Sequence, residues 1–278
     1  MAKFTKRVLM SISGPILIML IWIFEAGAID NSLILPHFSA VLEHFLHPTS
    51  NIIGLGALTE NIIISLLRVF LGYLVAVLLA IPIGVLIGYS RICYGFINPV
   101  ISLFRPIPPI SWVPLVLAWF GVTSVATLLG MTQGVTYVYL NNFKISMTFI
   151  IFLGAFFPIV TSSVYGVGNV PKQLIESARV LGGSEGVIFR KILLPAAAPT
   201  IVNGMRTGLG CAWTCLVSAE MLPGSLSGVG YLIMHAYEIA RVDVVMTGMI
   251  SIGLVGALLD FLFRILEEKK FAWQNRVK

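Results

Sequence analysis

Long apolar runs alternate with short polar breaks along this chain. Val8 to Phe24, Ile62 to Gly88, Asn98 to Phe120, Ile145 to Val167, Pro195 to Met221 and Val242 to Leu266 are each close to or beyond the roughly 20 apolar residues that cross a bilayer as a helix. This pattern predicts an all-α integral membrane protein with six transmembrane helices. Between the first two runs, Leu33 to His47 reads as a short helix with Ile34, Phe38, Val41, Leu42 and Phe45 on one face, lying on the membrane surface. In the second run Gly84 and Gly88 are spaced for close helix contact. The third run holds Arg105-Pro106-Ile107-Pro108-Pro109-Ile110, where regular α-helix cannot continue. A seventh apolar stretch, Val122 to Leu140, is followed by Asn141, Asn142 and Lys144. Counting it as a crossing would move the basic segment 172–191 to the side where positive charge is disfavoured. Residues 122–143 are therefore expected to form an outer-surface or re-entrant insert.

Charge sets the expected orientation. Lys3, Lys6 and Arg7 precede the first run, and no Lys or Arg follows until Arg68. Of the 18 Lys and Arg residues, most fall at one set of span ends, with only Lys144 and Arg241 at the other. The positive-inside rule then puts the N- and C-termini in the cytoplasm and residues 29–58 outside. A cleaved leader is the rival reading of the N-terminus, with Ala26-Gly27-Ala28 as a cleavage-like site.

Composition agrees: 58% hydrophobic and 11% charged residues with a mean hydropathy of +0.96 exclude a soluble domain. The net charge of +6 sits at span ends and is not a nucleic-acid signature. Cys93, Cys211 and Cys215 are odd in number and lie in or beside apolar runs, so they read as packing residues. His44 and His47 stand three apart but lack further ligands, and no metal site is expected.

The one long polar interruption runs from Lys172 to Pro195. Leu174, Ala178 and Leu181 have helical spacing, Gly182 and Gly183 supply a turn, and Ser184 suits the cap of a second short helix carrying Val187, Ile188, Ile192 and Leu193. Pro195 fits the first turn of the next helix. Two short helices at an angle make a knob that a soluble partner can grip.

Glu176, Ser177, Ala178, Gly182, Ile192, Leu194 and Pro195 fit the spacing Glu-Ala-Ala, three residues, Gly, nine residues, Ile-x-Leu-Pro, with one Ala-to-Ser change at Ser177. That resembles the coupling loop of permease subunits of bacterial ABC importers. Arg105-x-x-Pro108-Pro109, Trp119-Phe120-Gly121 and Ala219-Glu220-Met221 resemble the nitrate, sulfonate and taurine branch, from which the apolar insert 122–143 departs.

The resemblance implies a type I ABC importer permease fold. Its parts would be an N-terminal helix and outer-surface helix (1–57), a permease core (58–270) with coupling loop 172–194, and a cytoplasmic tail (271–278). It implies a homodimer around a shared path in the bacterial inner membrane, with two cytoplasmic ATPase subunits and an extracytoplasmic substrate-binding protein. ATP and Mg would be bound by the ATPase, so no cofactor belongs to this chain. Glu176 would make a polar contact with the ATPase, Gly182 the tight turn, and Leu181 and Ile188 the apolar anchors. The cargo class would be small anions such as sulfonates, taurine, nitrate or bicarbonate, with vitamin precursors as the alternative.

Charges at membrane depth tend to face a cavity or a partner. Arg105, Pro108, Pro109, Arg206 and Glu220 are thus candidates for lining the path. The competing reading for the arginines is a structural pair with Glu220, or snorkelling to headgroups. Asp260 and Arg264 are spaced for an ion pair on one helix face. No G-x-x-x-x-G-K-[ST] phosphate loop and no nucleophile–base set occur, so the chain is not expected to be an enzyme. A carrier driven by an ion gradient is the rival from another class. It would need intramembrane carboxylates, for which Glu220 and Asp260 are the only candidates.

Overall fold

The computed structural model describes residues 2–221 and 224–270, with side chains from residue 13 onward, and its regular elements are all helical. Helix α1 (Ala2–Ile29) is longer than its apolar run and leaves Ile16, Leu17, Ile18, Leu20 and Ile21 exposed. It is tied down near its end, where Trp22 donates to the Pro36 carbonyl at 3.0 Å and meets Phe38 edge-on at 5.4 Å. Helix α2 (Phe38–Leu46) starts later than the sequence suggested, because Pro36 disfavours helical backbone at the residue before it. It does not simply lie on a surface. His44 Nε2 is 3.1 Å from Asp243 Oδ2, and Val41 is buried.

Helix α3 (Leu58–Tyr89) is followed by α4 (Arg91–Phe104), which begins earlier than the run at Asn98. The proline cluster breaks the chain as expected, but the third run is not one straight span. After residues 105–108 comes a 3-10 turn (Pro109–Trp112) and then α5 (Val113–Phe120), bent by 89° from α4. The insert forms two short helices, α6 (Val125–Leu128) and α7 (Val135–Asn141), and its ends meet in a bridge between Ser124 and Lys144. Next come α8 (Ile145–Gly168), α9 (Lys172–Val180) and α10 (Glu185–Ile188). Helix α10 is not separate: it continues through a π turn (Phe189–Leu193) into α11 (Leu194–Glu220). Pro195 has no N–H to give, and the backbone widens by one residue, with the Leu194 N–H reaching the Phe189 carbonyl. A final pair follows, α12 (Val229–Glu238), absent from the sequence reading, and α13 (Val242–Lys270). Glu267 to Lys270 belong to α13, and the tail 271–278 lies outside the described residues.

Among the described residues three helices, α3, α8 and α13, are long and apolar enough to cross a membrane, and the bent α4–α5 pair would make a fourth. Helix α11 is equally long but carries Asn203, Arg206, Thr207 and Thr214. The core is α8 clasped between α3 and α11. A Cβ on Gly88 of α3 would fall 2.8 Å from Val167 Cβ, and one on Gly208 of α11 would fall 2.7 Å from Ile159 Cγ1, so only glycine permits these backbones to approach. Around them Ala76, Ala80, Ile151, Ala155, Ile159, Ala212 and Leu216 form a closed apolar cluster. Outward-facing Leu67, Phe70, Leu74 and Leu78 of α3 are 42–64% exposed, a face suited to lipid or another apolar helix.

Candidate functional site

The knob is built by backbone chemistry. At the end of α9, Gly182 takes φ +81° and donates to the Arg179 carbonyl (3.0 Å), while the Gly183 N–H donates to the Ala178 carbonyl (2.9 Å). This pair of bonds closes a helix C-terminus and requires the left-handed backbone that glycine adopts freely. The chain then turns into α10. Ser184 stands at the cap position, but its side chain makes no capping bond, contrary to the sequence reading. The turn is braced by Arg179, which donates to Glu185 from Nε (2.8 Å) and a terminal nitrogen (3.2 Å). That bond holds the Glu185 carboxyl below its ordinary range, though both groups lie in solvent.

The exposure pattern divides the knob into tip and root. Val180 and Leu181 are 88% and 87% exposed, with Leu174 half exposed. Glu176 and Ser177 are exposed beside them, and Ala178 is half-buried. Ile188, expected as a second anchor, is buried at 3% exposure. It packs under the turn and shapes the knob, so Val180 is the apolar neighbour of Leu181 that the sequence reading missed. Below it, Ile175, Phe189, Leu193 and Leu194 join Val85, Val167, Ala197 and Ile201, and Tyr89 meets Phe189 edge-on at 5.3 Å. Ile192 is half-buried and Pro195 exposed at this root. Clefts of about 580 and 910 Å³ flank the knob, the first against the ends of α3 and α8, the second against Pro82 and Leu86.

The five path candidates separate. Arg105 and Pro109 line a groove of about 530 Å³ between α8 and α11, while Pro108 is exposed next to it. Arg206 lies elsewhere, bound to Asp260 by two hydrogen bonds (2.6 and 3.0 Å) and near Glu267 (3.6 Å). The expected pairing of Asp260 with Arg264 does not form, and Arg264 bonds Glu268 instead.

Glu220 is fully enclosed at the opposite end of α11 from the knob. It accepts from Arg68 (2.6 Å), from the Ser65 hydroxyl (2.8 and 2.9 Å) and from the Gly230 N–H (3.0 Å). Arg68 also donates to the carbonyls of Asn142 and Ser227 and to the Ser227 hydroxyl. Asn61 accepts from the Gly228 N–H. One buried network thus joins α3, α11, the insert and the turn before α12. The arginine–Glu220 pair anticipated as the structural alternative is therefore present with Arg68, and Ser65, Asn61, Asn142 and Ser227 complete it unforeseen. Among the described residues no group of three or more His, Cys, Asp or Glu is placed to hold a metal ion.

Comparison with known proteins adds the family. Residues 80–271 match the binding-protein-dependent transport system inner membrane component model. An inferred ABC transporter permease of Methanocaldococcus jannaschii is 46% identical over 99% of this chain and 95% of its own length. The taurine transport system permease of Escherichia coli is 32% identical over 80% of this chain and 73% of its own length. The nitrate import permease of Synechocystis is 35% identical over 77% and 69%. A chain of an inward-facing methionine ABC transporter superposes with a TM-score of 0.61, covering 76% of this chain and 94% of that one at 19% identity, which speaks for the fold. The chain therefore belongs to the inner-membrane permease components of binding-protein-dependent ABC transporters, a transport subunit rather than an enzyme.

Proposed function

We propose that this chain is the membrane-spanning subunit of an ATP-driven importer of a small anion, working as a homodimer. In this reading it crosses the cytoplasmic membrane six times, with α1, the broken α4–α5 pair and α11 as the crossings beyond the three long apolar helices, and both termini lie inside. Two ATPase chains bind ATP and Mg and receive the two knobs, while a separate binding protein delivers cargo outside. The observation that carries the reading is the knob: an apolar tip almost wholly exposed on a root fixed in the core, which exposes hydrophobic surface at a cost only a partner removes. Lipid or a second copy accounts for the exposed stripe Ile92, Phe96, Val100 and Leu103 on α4. The cargo class rests on relatives named for taurine, aliphatic sulfonates and nitrate.

The test is affinity purification of the tagged chain from its native membranes in mild detergent, with co-purifying chains identified by mass spectrometry. An ATPase recovered with the unaltered chain and lost with Glu176→Lys or Leu181→Asp supports the reading. A clean homo-oligomer without ATPase in several detergents sinks it in favour of a gradient-driven carrier.

A further inference from the structure

Beside the knob's root, the larger of the two flanking clefts pairs an oily wall with a cationic rim. Pro82, Val85 and Leu86 from the last turns of α3 stand on one side, with Val187 and Phe189 opposite. Arg190 and Lys191, the next two residues of the π turn, complete a lining around about 910 Å³. The contact of Tyr89 with Phe189 and the packing of Val85 with Leu193 fix the heights of the two walls. Arg190 and Lys191 therefore stand level with the end of α3, and Pro82 lies about 10 Å further back along that helix. The level is that of a membrane boundary. Tyr89, Tyr94 and Tyr165 gather at the same ends of α3, α4 and α8, each about half exposed or more, as aromatic residues at headgroup depth are.

The charges of the rim are not spent. Neither Arg190 nor Lys191 has a side-chain hydrogen bond or ion pair among the described residues. Glu185, the one carboxylate in the lining, is already held by two bonds from Arg179. The oily wall does not stop at the cleft either, because exposed Leu79 and Val75 continue the face of Leu86 along α3.

We propose that this cleft binds an anionic phospholipid from the bilayer leaflet on the knob's side, its phosphate on Arg190 and Lys191 and one acyl chain along Leu86, Pro82 and Leu79. A soluble anion leaves the oily wall bare, and an apolar helix of a second copy leaves two cations without a counter-charge. A lipid satisfies both halves and continues the apolar surface of α3. The inference goes beyond the importer reading: a lipid becomes part of the root from which the knob projects.

The experiment uses the full chain, purified in mild detergent and freed of native lipid. It is titrated with dioleoylphosphatidylglycerol and separately with dioleoylphosphatidylcholine, and bound lipid is counted by native mass spectrometry. The anionic lipid should bind tighter by about fivefold or more, the effect of one cation beside an anionic headgroup. Arg190→Gln/Lys191→Gln should abolish that preference, and Leu86→Gln should weaken both lipids while keeping it. Lys269→Gln/Lys270→Gln, which removes the same charge from the end of α13, should change neither. Equal binding of the two lipids, or an equal loss in the α13 variant, overturns the proposal. Displacement by excess glycerol 3-phosphate does so too, since the site then reads phosphate without a chain. Loss of ATPase capture in Arg190→Gln/Lys191→Gln with the lipid preference intact gives the cations to a protein partner, and the proposal falls. Lipid binding needs neither ATPase nor cargo, so failure of either reading leaves the other standing.

Discussion

At one end of α11 the knob holds Val180 and Leu181 out in the open, while at the other end Glu220 and Arg68 are sealed from solvent. Both regions are polar clusters set on an apolar scaffold, but their physics is opposed. The knob's charges are exposed and nearly worthless for stability, so they are free to serve a partner. The Arg68–Glu220 pair is desolvated on both sides and satisfied by Ser65, Ser227, Asn142 and the Gly230 N–H, so every bond in it is committed to holding four chain segments together. A charged cluster whose donors are all spoken for is a fastener, and one left half-used is a candidate site. By that criterion Arg190 and Lys191, free at the knob's root, are a candidate site and Glu220 is not.

The strongest way to break the comparison is to remove one half of the buried pair. Arg68→Leu or Glu220→Leu leaves the other charge without its partner, at a cost of about 3–5 kcal/mol. Both variants should lose most of their folded yield and melt at lower temperature in detergent, whereas the double variant Arg68→Leu/Glu220→Leu should recover much of the loss because no lone charge remains. Additive losses in the double variant would show that the pair is not a unit.

The tip should behave the other way. Leu181→Asp is expected to leave the melting temperature nearly unchanged, within about 0.5 kcal/mol, because it touches solvent on most sides. The same change should weaken ATPase capture by an amount typical of an apolar anchor at an interface centre, about 2 kcal/mol or some thirtyfold. Ile188→Asp should differ from it, destabilising the knob itself, and equal melting behaviour for the two variants would contradict the division into tip and root. Gly182→Ala lies between them. Its left-handed backbone costs a residue with a Cβ about 1 kcal/mol, so hydrogen exchange at the end of α9 should quicken while the core melts normally.

These contrasts also explain what could be read without a structure. The knob is written within some twenty consecutive residues, and its glycine turn and amphipathic spacing were legible for that reason. Only its inner detail was not, because whether Ile188 faces a partner or the root depends on the π turn that begins directly after α10 and that Pro195 imposes from seven residues on. The Arg68 network joins residues up to 167 positions apart, and the local sequence around Ser65, Asn61 or Ser227 carries no trace of it. Helix α12 was hidden for a different reason. It is ten residues long, too short to signal a span, and it follows a glycine-rich turn that reads as loop. The misassigned Asp260–Arg264 pair shows the limit of spacing arguments: i,i+4 neighbours were available, but Arg206 from α11 offers a two-bond geometry that a helix neighbour does not.

The smallest expected effect separates the two clusters by pH. Glu185 accepts two bonds from Arg179, and that contact lowers the carboxyl below its ordinary value. A group whose folded-state value is depressed contributes its stabilisation above the unfolded value and loses it as pH falls through the folded one. The brace across Gly182 and Gly183 should therefore hold at neutral pH and loosen on acidification below the usual carboxylate range. Because both side chains are open to solvent, salt should weaken it as well. The readout is amide exchange of residues 182–187, corrected for the intrinsic pH dependence of exchange and compared with Glu185→Gln. In the unaltered chain protection should fall as pH drops, and in Glu185→Gln it should start low and stay flat. A parallel fall in both would assign the change to something other than this pair, such as Glu176. The core amides of α8 should show no such step, since the apolar cluster that encloses them includes no carboxylate or histidine to titrate in acid.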